Sequence, residues 1–281
     1  MEGWGWEGFG VFSAEELVGY LVEVGISGRV STLRERSLRN YRLFGVGDPR
    51  VRLGVVPRGV WGWGEVLGVM VEACGVSDDL GVVSGQDWVE PFKTVAALDA
   101  FADRIRNVAL CNGAVLVGTG HPGRLGGFYR GIVDALSTAG CEVLTPAKGL
   151  SVDITTRFGL RTHILQYVRG VGRLLEPGVE RAGRATGVHT HSPLPVRLAL
   201  EALAASGGRL PDLVIGDHGW VCGAGQLGFE AIGLADADDP AVFVGQAEGI
   251  VSVAVPVDDG VRSDYYLPLT RYVLNRACLS Q

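Results

Sequence analysis

Leu213-Val214-Ile215-Gly216-Asp217-His218-Gly219-Trp220 decides how this chain is read. An apolar run ends abruptly in an acid, a histidine and glycine. A second run, Ala231-Ile232-Gly233-Leu234-Ala235, follows at once and ends in Asp236-Ala237-Asp238-Asp239-Pro240. Short continuous apolar runs are the mark of strands buried on both faces. Two such strands finishing side by side on carboxylates predict an open α/β sheet, in which ligands sit at the carboxyl ends of the strands.

Working outward, Ala114-Val115-Leu116-Val117 is another buried strand. The turn Gly118-Thr119-Gly120-His121-Pro122-Gly123, a helix from Leu125 to Ala139 and a strand at Glu142-Val143-Leu144 follow. That is a βαβ unit, which crosses right-handed into a parallel sheet. Tyr167 to Leu175 reads as one further strand, Val179 to Gly187 as an exposed loop and Pro195 to Ala205 as a helix. Ile250 to Val257 is the last strand, and Asp264 to Ala277 a closing helix. Before Asn107 the pattern is helical: Ser13-Ala14-Glu15-Glu16 is a capping box, with Leu17, Tyr20, Leu21 and Val24 at helical spacing behind it. The expected architecture is α/β, a Rossmann-like, mostly parallel sheet (residues 111–281) preceded by a helical amino-terminal region (residues 1–110).

Composition narrows the function. The chain has 281 residues and a formal net charge of -6, which disfavours nucleic acid as a partner. No apolar stretch is long enough for a membrane span. The opening Glu2-Gly3-Trp4-Gly5-Trp6 lacks the basic start of a signal peptide, and the five scattered cysteines have no CxxC spacing. A cytoplasmic protein is expected, with Trp4 and Trp6 as candidates for contact between copies of the chain.

Several constellations could carry chemistry. Gly118, Thr119 and Gly120 lie where backbone amides at a helix start attract anions, and His121 and Arg124 could add charge. Lys148, Asp153, Thr155, Thr156 and Arg157, with Ser151 and Arg161, crowd guanidinium groups and hydroxyls into one segment, a composition suited to phosphate oxygens. Arg34, Arg39 and Asn40 are candidates to bring charge to an anionic substrate. Asp217, Asp236 and Asp238, with His189 and His191 of His189-Thr190-His191, offer oxygen and imidazole ligands to a divalent cation: magnesium or manganese first, zinc or iron as alternatives. Asp239, directly before Pro240, is expected to cap a helix. His121 and His218 could serve as acid or base, because histidine titrates near neutrality. Cys222 is a conceivable nucleophile, but no G-x-S-x-G elbow or phosphatase cysteine loop is present. Gly118-Thr119-Gly120 also resembles half a dinucleotide fingerprint, which keeps a nicotinamide-dependent oxidoreductase, or a non-catalytic nucleotide-binding protein, as the competing reading.

Ser37-Leu38-Arg39-Asn40-Tyr41-Arg42-Leu43-Phe44, Gly118-Thr119-Gly120-His121-Pro122, Ser151-Val152-Asp153-Ile154-Thr155-Thr156-Arg157-Phe158-Gly159, His189-Thr190-His191-Ser192-Pro193-Leu194-Pro195, Gly216-Asp217-His218-Gly219-Trp220 and the closing Thr270-Arg271-Tyr272-Val273-Leu274-Asn275-Arg276-Ala277 together resemble a family of actinobacterial proteins known as phosphatases. The resemblance runs from about Glu16 onward. It implies hydrolysis of a small phosphomonoester. The layout is similar to metal-dependent phosphatases with adjacent acid and amide ligands on a Rossmann-like sheet, and His218 stands where such proteins have the amide. The residues themselves, rather than the likeness, lead one to expect a metal held by Asp217 and Asp236, with Asp238 and one or more of His189, His191 and His218.

Overall fold

A computed structural model describes residues 12–156, 159–178 and 187–279. Its centre is an eight-stranded sheet. The carboxyl-terminal half supplies β8 (Leu213–Asp217), β9 (Ala231–Ala235) and β10 (Val253–Pro256), and β3 (Ala114–Gly118) lies next to β8. These four strands are parallel, and all their residues are buried. That is the unbroken apolar pattern a sheet covered on both faces requires.

On its other edge β3 pairs in parallel with the short β4 (Glu142–Val143) and then with β7 (Val171–Leu175). Beyond β7 the sheet turns antiparallel through β6 (Gly159–Val168) and β5 (Ser151–Thr156). The single strand expected over Tyr167 to Leu175 is therefore a hairpin: Arg169 (φ +48°) and Gly170 (φ +79°) make the turn between β6 and β7. Both residues of a tight turn with positive φ are what a two-residue hairpin needs. Residues 179–186 of the expected loop, Arg157, Trp4 and Trp6 lie outside the described residues.

Chain order leaves β3 in one direction for β4 and in the other for β8, so the strand order reverses at the β3–β8 pair. Crevices open at the carboxyl ends of such a pair. Alternate residues divide the core. Leu116 and Val214 face one apolar layer, built with α7 (Leu194–Ser206), α8 (His218–Gln226) and α9 (Pro240–Ala247). Val115, Val117, Ile215 and Leu234 face the other, built with α5 (Pro91–Leu110), α6 (Gly126–Thr138) and α10 (Leu267–Arg276). The closing helix starts with a 3-10 turn at Ser263–Tyr266.

The amino-terminal region carries helices and also a two-stranded antiparallel sheet, β1 (Gly28–Leu33) with β2 (Gln86–Val89). The capping box at Ser13 and Glu16 forms. Tyr41 and Phe44 of α2 (Arg34–Gly45) and Met70 of α4 (Trp63–Cys74) join Phe243 and Val244 of α9 in one apolar cluster. This packing brings β1 and α2 to the carboxyl ends of β9 and β10.

Candidate active site

Three parallel strands run into acids at their carboxyl ends: β8 ends on Asp217, Asp236 to Asp239 follow β9, and Asp258-Asp259 follow β10. The acids after β9 and β10 line a cleft of about 580 Å³. Its wall includes Ser31, Thr32, Arg36, His121, Arg124, His189, His191 and the five aspartates Asp236, Asp238, Asp239, Asp258 and Asp259.

The strand-to-helix turn at Asp217-His218 sets the floor. His218 has φ +46°, a left-handed conformation uncommon outside glycine and often found at functional sites. It throws the ring, completely buried, into the cluster. His218 Nδ1 lies 3.2 Å from Asp217 Oδ1. Asp217 is fixed in turn by Thr119, whose hydroxyl donates to Oδ2 at 2.5 Å, and by the Gly120 N–H, which donates to Oδ1 at 2.6 Å. The glycine-rich turn after β3 thus spends its donors on Asp217. Gly120 is required for close approach as well, because a Cβ there would lie 2.0 Å from the Thr190 carbonyl oxygen.

His218 Nε2 faces Asp239 Oδ2 at 2.7 Å and Asp259 Oδ2 at 3.0 Å. None of these three atoms sits in hydrogen-bonding geometry with a partner, so they converge on a point rather than along an N–H bond. Asp239 occupies the N-cap position of α9 but makes no side-chain cap bond. Its carboxylate points instead at His218 and at His191 Nδ1, 3.5 Å away. The expected side-chain cap does not form, and the carboxylate joins the histidine cluster instead. Three more histidines complete the cluster: His121 and His191 have ring centroids 4.4 and 4.0 Å from His218, and His189 lies 4.0 Å from His121.

The amino-terminal region holds the acids from above. Ser31 donates its N–H and hydroxyl to Asp258 Oδ2 at 2.6 and 2.5 Å. Thr32 donates to Asp236 Oδ2 at 2.6 Å. Asn40 Nδ2 donates to the Asp238 carbonyl and carboxylate at 2.8 and 3.2 Å, and Arg36 pairs with Asp238. The Tyr41 hydroxyl donates to the Ala237 carbonyl at 2.6 Å.

Burial and mutual charge set the protonation of the cluster. Burial pulls His218 down, but Asp239, Asp217 and Asp259 outweigh it and hold the ring protonated well above the ordinary histidine range. Burial, reinforced by the charge on His218, pushes His121 down to about 3 and keeps His191 and His189 neutral as well. Neither His121 nor His218 titrates near neutrality, contrary to the sequence expectation. Burial also raises Asp236, with Asp259 adding to it, and raises Asp238 to about 7. Asp239 runs against its burial and lies well below the usual carboxylate range, because His218 and His191 favour its charge.

Of the residues singled out in the sequence, the structure brings His121, His189, His191, Asp217, His218, Asp236 and Asp238 together, with Thr119, Gly120 and Asn40 as their immediate supports. It places others elsewhere. Lys148 is exposed in the loop before β5, and Asp153, Thr155 and Thr156 lie on that antiparallel edge strand; none lines the cleft. Asp153 accepts from the Thr162 hydroxyl and Thr156 donates to the Gly159 carbonyl. Arg34 is buried against Asp87 and the carbonyls of Ser77 and Val82, and Arg39 is exposed outside the cleft. Gly118 packs under the Trp220 ring, with room for no Cβ. Cys222 is fully buried and its thiol is pushed far up by that burial, which suits packing and not nucleophilic attack. Arg124, named beside His121 in the sequence, lines the cleft as well, whereas Ser31, Thr32, Arg36, Asp258 and Asp259 had not been singled out.

Histidines and carboxylates gathered this closely can hold a metal ion: His121, His191 and His218; His218, Asp239 and Asp259; and Asp236, Asp258 and Asp259 each bring ligand atoms within 4.8 Å of one another. An α/β sheet with such a cleft at its strand reversal is the frame of a hydrolase or a nucleotide-binding protein, and comparison with known sequences separates the two. The chain belongs to the Phosphatase family, whose model matches residues 12–281. It is 41% identical over 272 residues to Phosphatase SCO2771 of Streptomyces coelicolor, an alignment covering 96% of this chain and 98% of that protein.

Proposed function

We propose that this protein is a metal-assisted phosphomonoesterase acting on a small phosphorylated metabolite, such as a sugar phosphate or a nucleoside monophosphate. The observation that carries this reading is the convergence of unpartnered buried carboxylate and imidazole atoms in one cleft with arginines at its rim. Membership of the Phosphatase family, and the name of the Streptomyces relative, support the same reaction class. The cleft volume of about 580 Å³ suits a small molecule.

Electrostatics argues for the metal. Two carboxylates about 4–5 Å apart repel by roughly 3–4 kcal/mol at an effective dielectric constant of about 20, and a phosphate dianion approaching five aspartates would be repelled further. A cation among the acids reverses that sign. The oxygens that favour a proton on His218 Nε2 favour a cation in its place just as well. When bound, a divalent metal supplies Lewis-acid polarisation of the phosphoryl group and a water of lowered pKa.

The chain's own residues account for the remaining work. Asp239, Asp259, His218 and Asp236 present the ligand atoms. Asp217 orients the His218 ring through Nδ1, as carboxylates behind metal-ligating histidines do. Arg124, exposed at the mouth, and Arg36 offer guanidinium donors to phosphate oxygens. His121, neutral and with Nδ1 unpartnered, offers a further nitrogen ligand beside His191 and His218. A dinucleotide gains little from this turn, since Gly118 is covered by Trp220 and the Gly120 amide is committed to Asp217.

The test is phosphate release from a panel of sugar phosphates and nucleoside monophosphates set against phosphodiesters. Release from monoesters alone is expected; turnover of diesters and of no monoester would overturn the assignment.

A further inference from the structure

The acids of the cleft do not form one ligand set but two. His218, Asp239 and Asp259 make a set containing nitrogen, while Asp236, Asp258 and Asp259 make one of oxygen only. Asp259 belongs to both. The atoms offered are free to bind: Asp236 Oδ1 and Asp259 Oδ2 are buried atoms with no hydrogen-bond partner, in residues more than nine-tenths buried. Asp236 Oδ2 is anchored by Thr32, and Asp258 is held at both oxygens, Oδ2 by Ser31 and Oδ1 by the Gly260 N–H, each keeping a lone pair for an ion. Such anchoring fixes ligand orientation before any ion arrives.

Charge points the same way. Asp238 has Arg36, and Asp217 has Thr119, Gly120 and His218. Asp236, Asp239, Asp258 and Asp259 have no arginine or lysine partner among the described residues. Four buried carboxylates without a lysine or arginine among them leave room for more than one divalent cation, and uncompensated buried charge is costly.

We propose that the cleft holds two divalent cations in chemically different sites bridged by Asp259. His218 and Asp239 complete a site suited to manganese, zinc or iron, and Asp236 and Asp258 an oxygen-only site suited to magnesium or manganese. The inference rests on the metal-assisted reading above and extends it from one ion to a bridged pair, the arrangement that clamps both oxygens of a displacement at phosphorus.

The test titrates chelator-stripped full-length protein with manganese, counting bound ions by calorimetry and following their magnetic coupling by electron paramagnetic resonance. Two ions per chain, spin-coupled in the wild type, are expected. His218→Gln and Asp236→Asn should each keep one tightly bound, uncoupled ion and bind the second at least tenfold more weakly. A single manganese in the wild type overturns the paired site while leaving a metal-assisted phosphatase standing. Two uncoupled ions that neither variant disturbs also overturn it. No manganese bound at all overturns this inference and the metal-assisted reading together. The wild-type stoichiometry and coupling decide the matter even if a variant fails to fold.

Discussion

His218 holds a backbone conformation that costs a residue with a side chain on the order of 1–2 kcal/mol, and what that cost achieves is a ring aimed at Asp239 and Asp259. Its orientation depends on Asp217, which touches His218 Nδ1 from behind. Asp217→Asn should therefore lower metal affinity and phosphate release by about 10–100-fold with the melting temperature nearly unchanged; near-full activity in that variant would contradict the role given to Asp217. At Gly120 the argument is steric. Gly120→Ala would push a Cβ to 2.0 Å from the Thr190 carbonyl oxygen and displace the loop carrying His189 and His191. A stability loss of roughly 1–3 kcal/mol is expected in chemical denaturation, with impaired turnover. Asp217, His218, Asp236 and the two loop histidines were legible in the sequence because each follows a recognisable strand or sits in a short, unusual string. Asp239 misled because a carboxylate before proline has an ordinary use as a cap, and only the fold shows that carboxylate turned to His218.

At the scale of elements, the sheet was readable and its partners were not. Continuous apolar runs gave β3, β8 and β9 close to their observed limits. The same rule applied to β10 would have reached Asp258-Asp259, the acids that follow it, since they repeat the pattern after β8 and β9. Ser31 and Thr32 carry no such signal. They reach Asp258 and Asp236 across 227 and 204 residues of sequence, a pairing set by packing of the amino-terminal region on α9. The arginines and hydroxyls around Lys148 and Asp153 have the composition of a phosphate site, yet strand order puts them on an outer edge. Thr32→Val, nearly isosteric, removes the hydroxyl that orients Asp236; it should weaken metal binding about tenfold or more, measured by calorimetry, while the fold persists. A second brace ties the 56–61 loop to the end of α9: Glu248 accepts from the Arg58 and Gly59 N–H groups and from Trp61 Nε1 at 2.6–2.9 Å. Burial opposes the Glu248 charge, but these donors hold its pKa below the ordinary 4.5. The stability it adds is accordingly complete above about pH 4.5 and is lost as pH falls through its lower, folded-state value. Glu248→Gln should flatten that acid limb of the unfolding profile; an unchanged limb would show that the brace contributes nothing.

For the whole molecule, the cleft is where β1, the β3 turn, the β8–α8 turn and the ends of β9 and β10 meet, so its charge balance bears on global stability. A ligand that binds only the folded state at 100 times its dissociation constant adds about 2.7 kcal/mol. For a chain of this size that corresponds to a rise of roughly 5–10 °C in melting temperature. Manganese or magnesium should raise the melting temperature of stripped protein by such an amount and chelator should reverse it; a scan indifferent to both would contradict a cation at the acid cluster. The most direct test of the account is phosphate release from a small phosphomonoester by chelator-stripped protein, before and after a divalent metal is restored. The account predicts negligible release from the stripped protein and recovery on adding manganese or magnesium. Undiminished release after stripping, with bound metal shown to be absent, would contradict it.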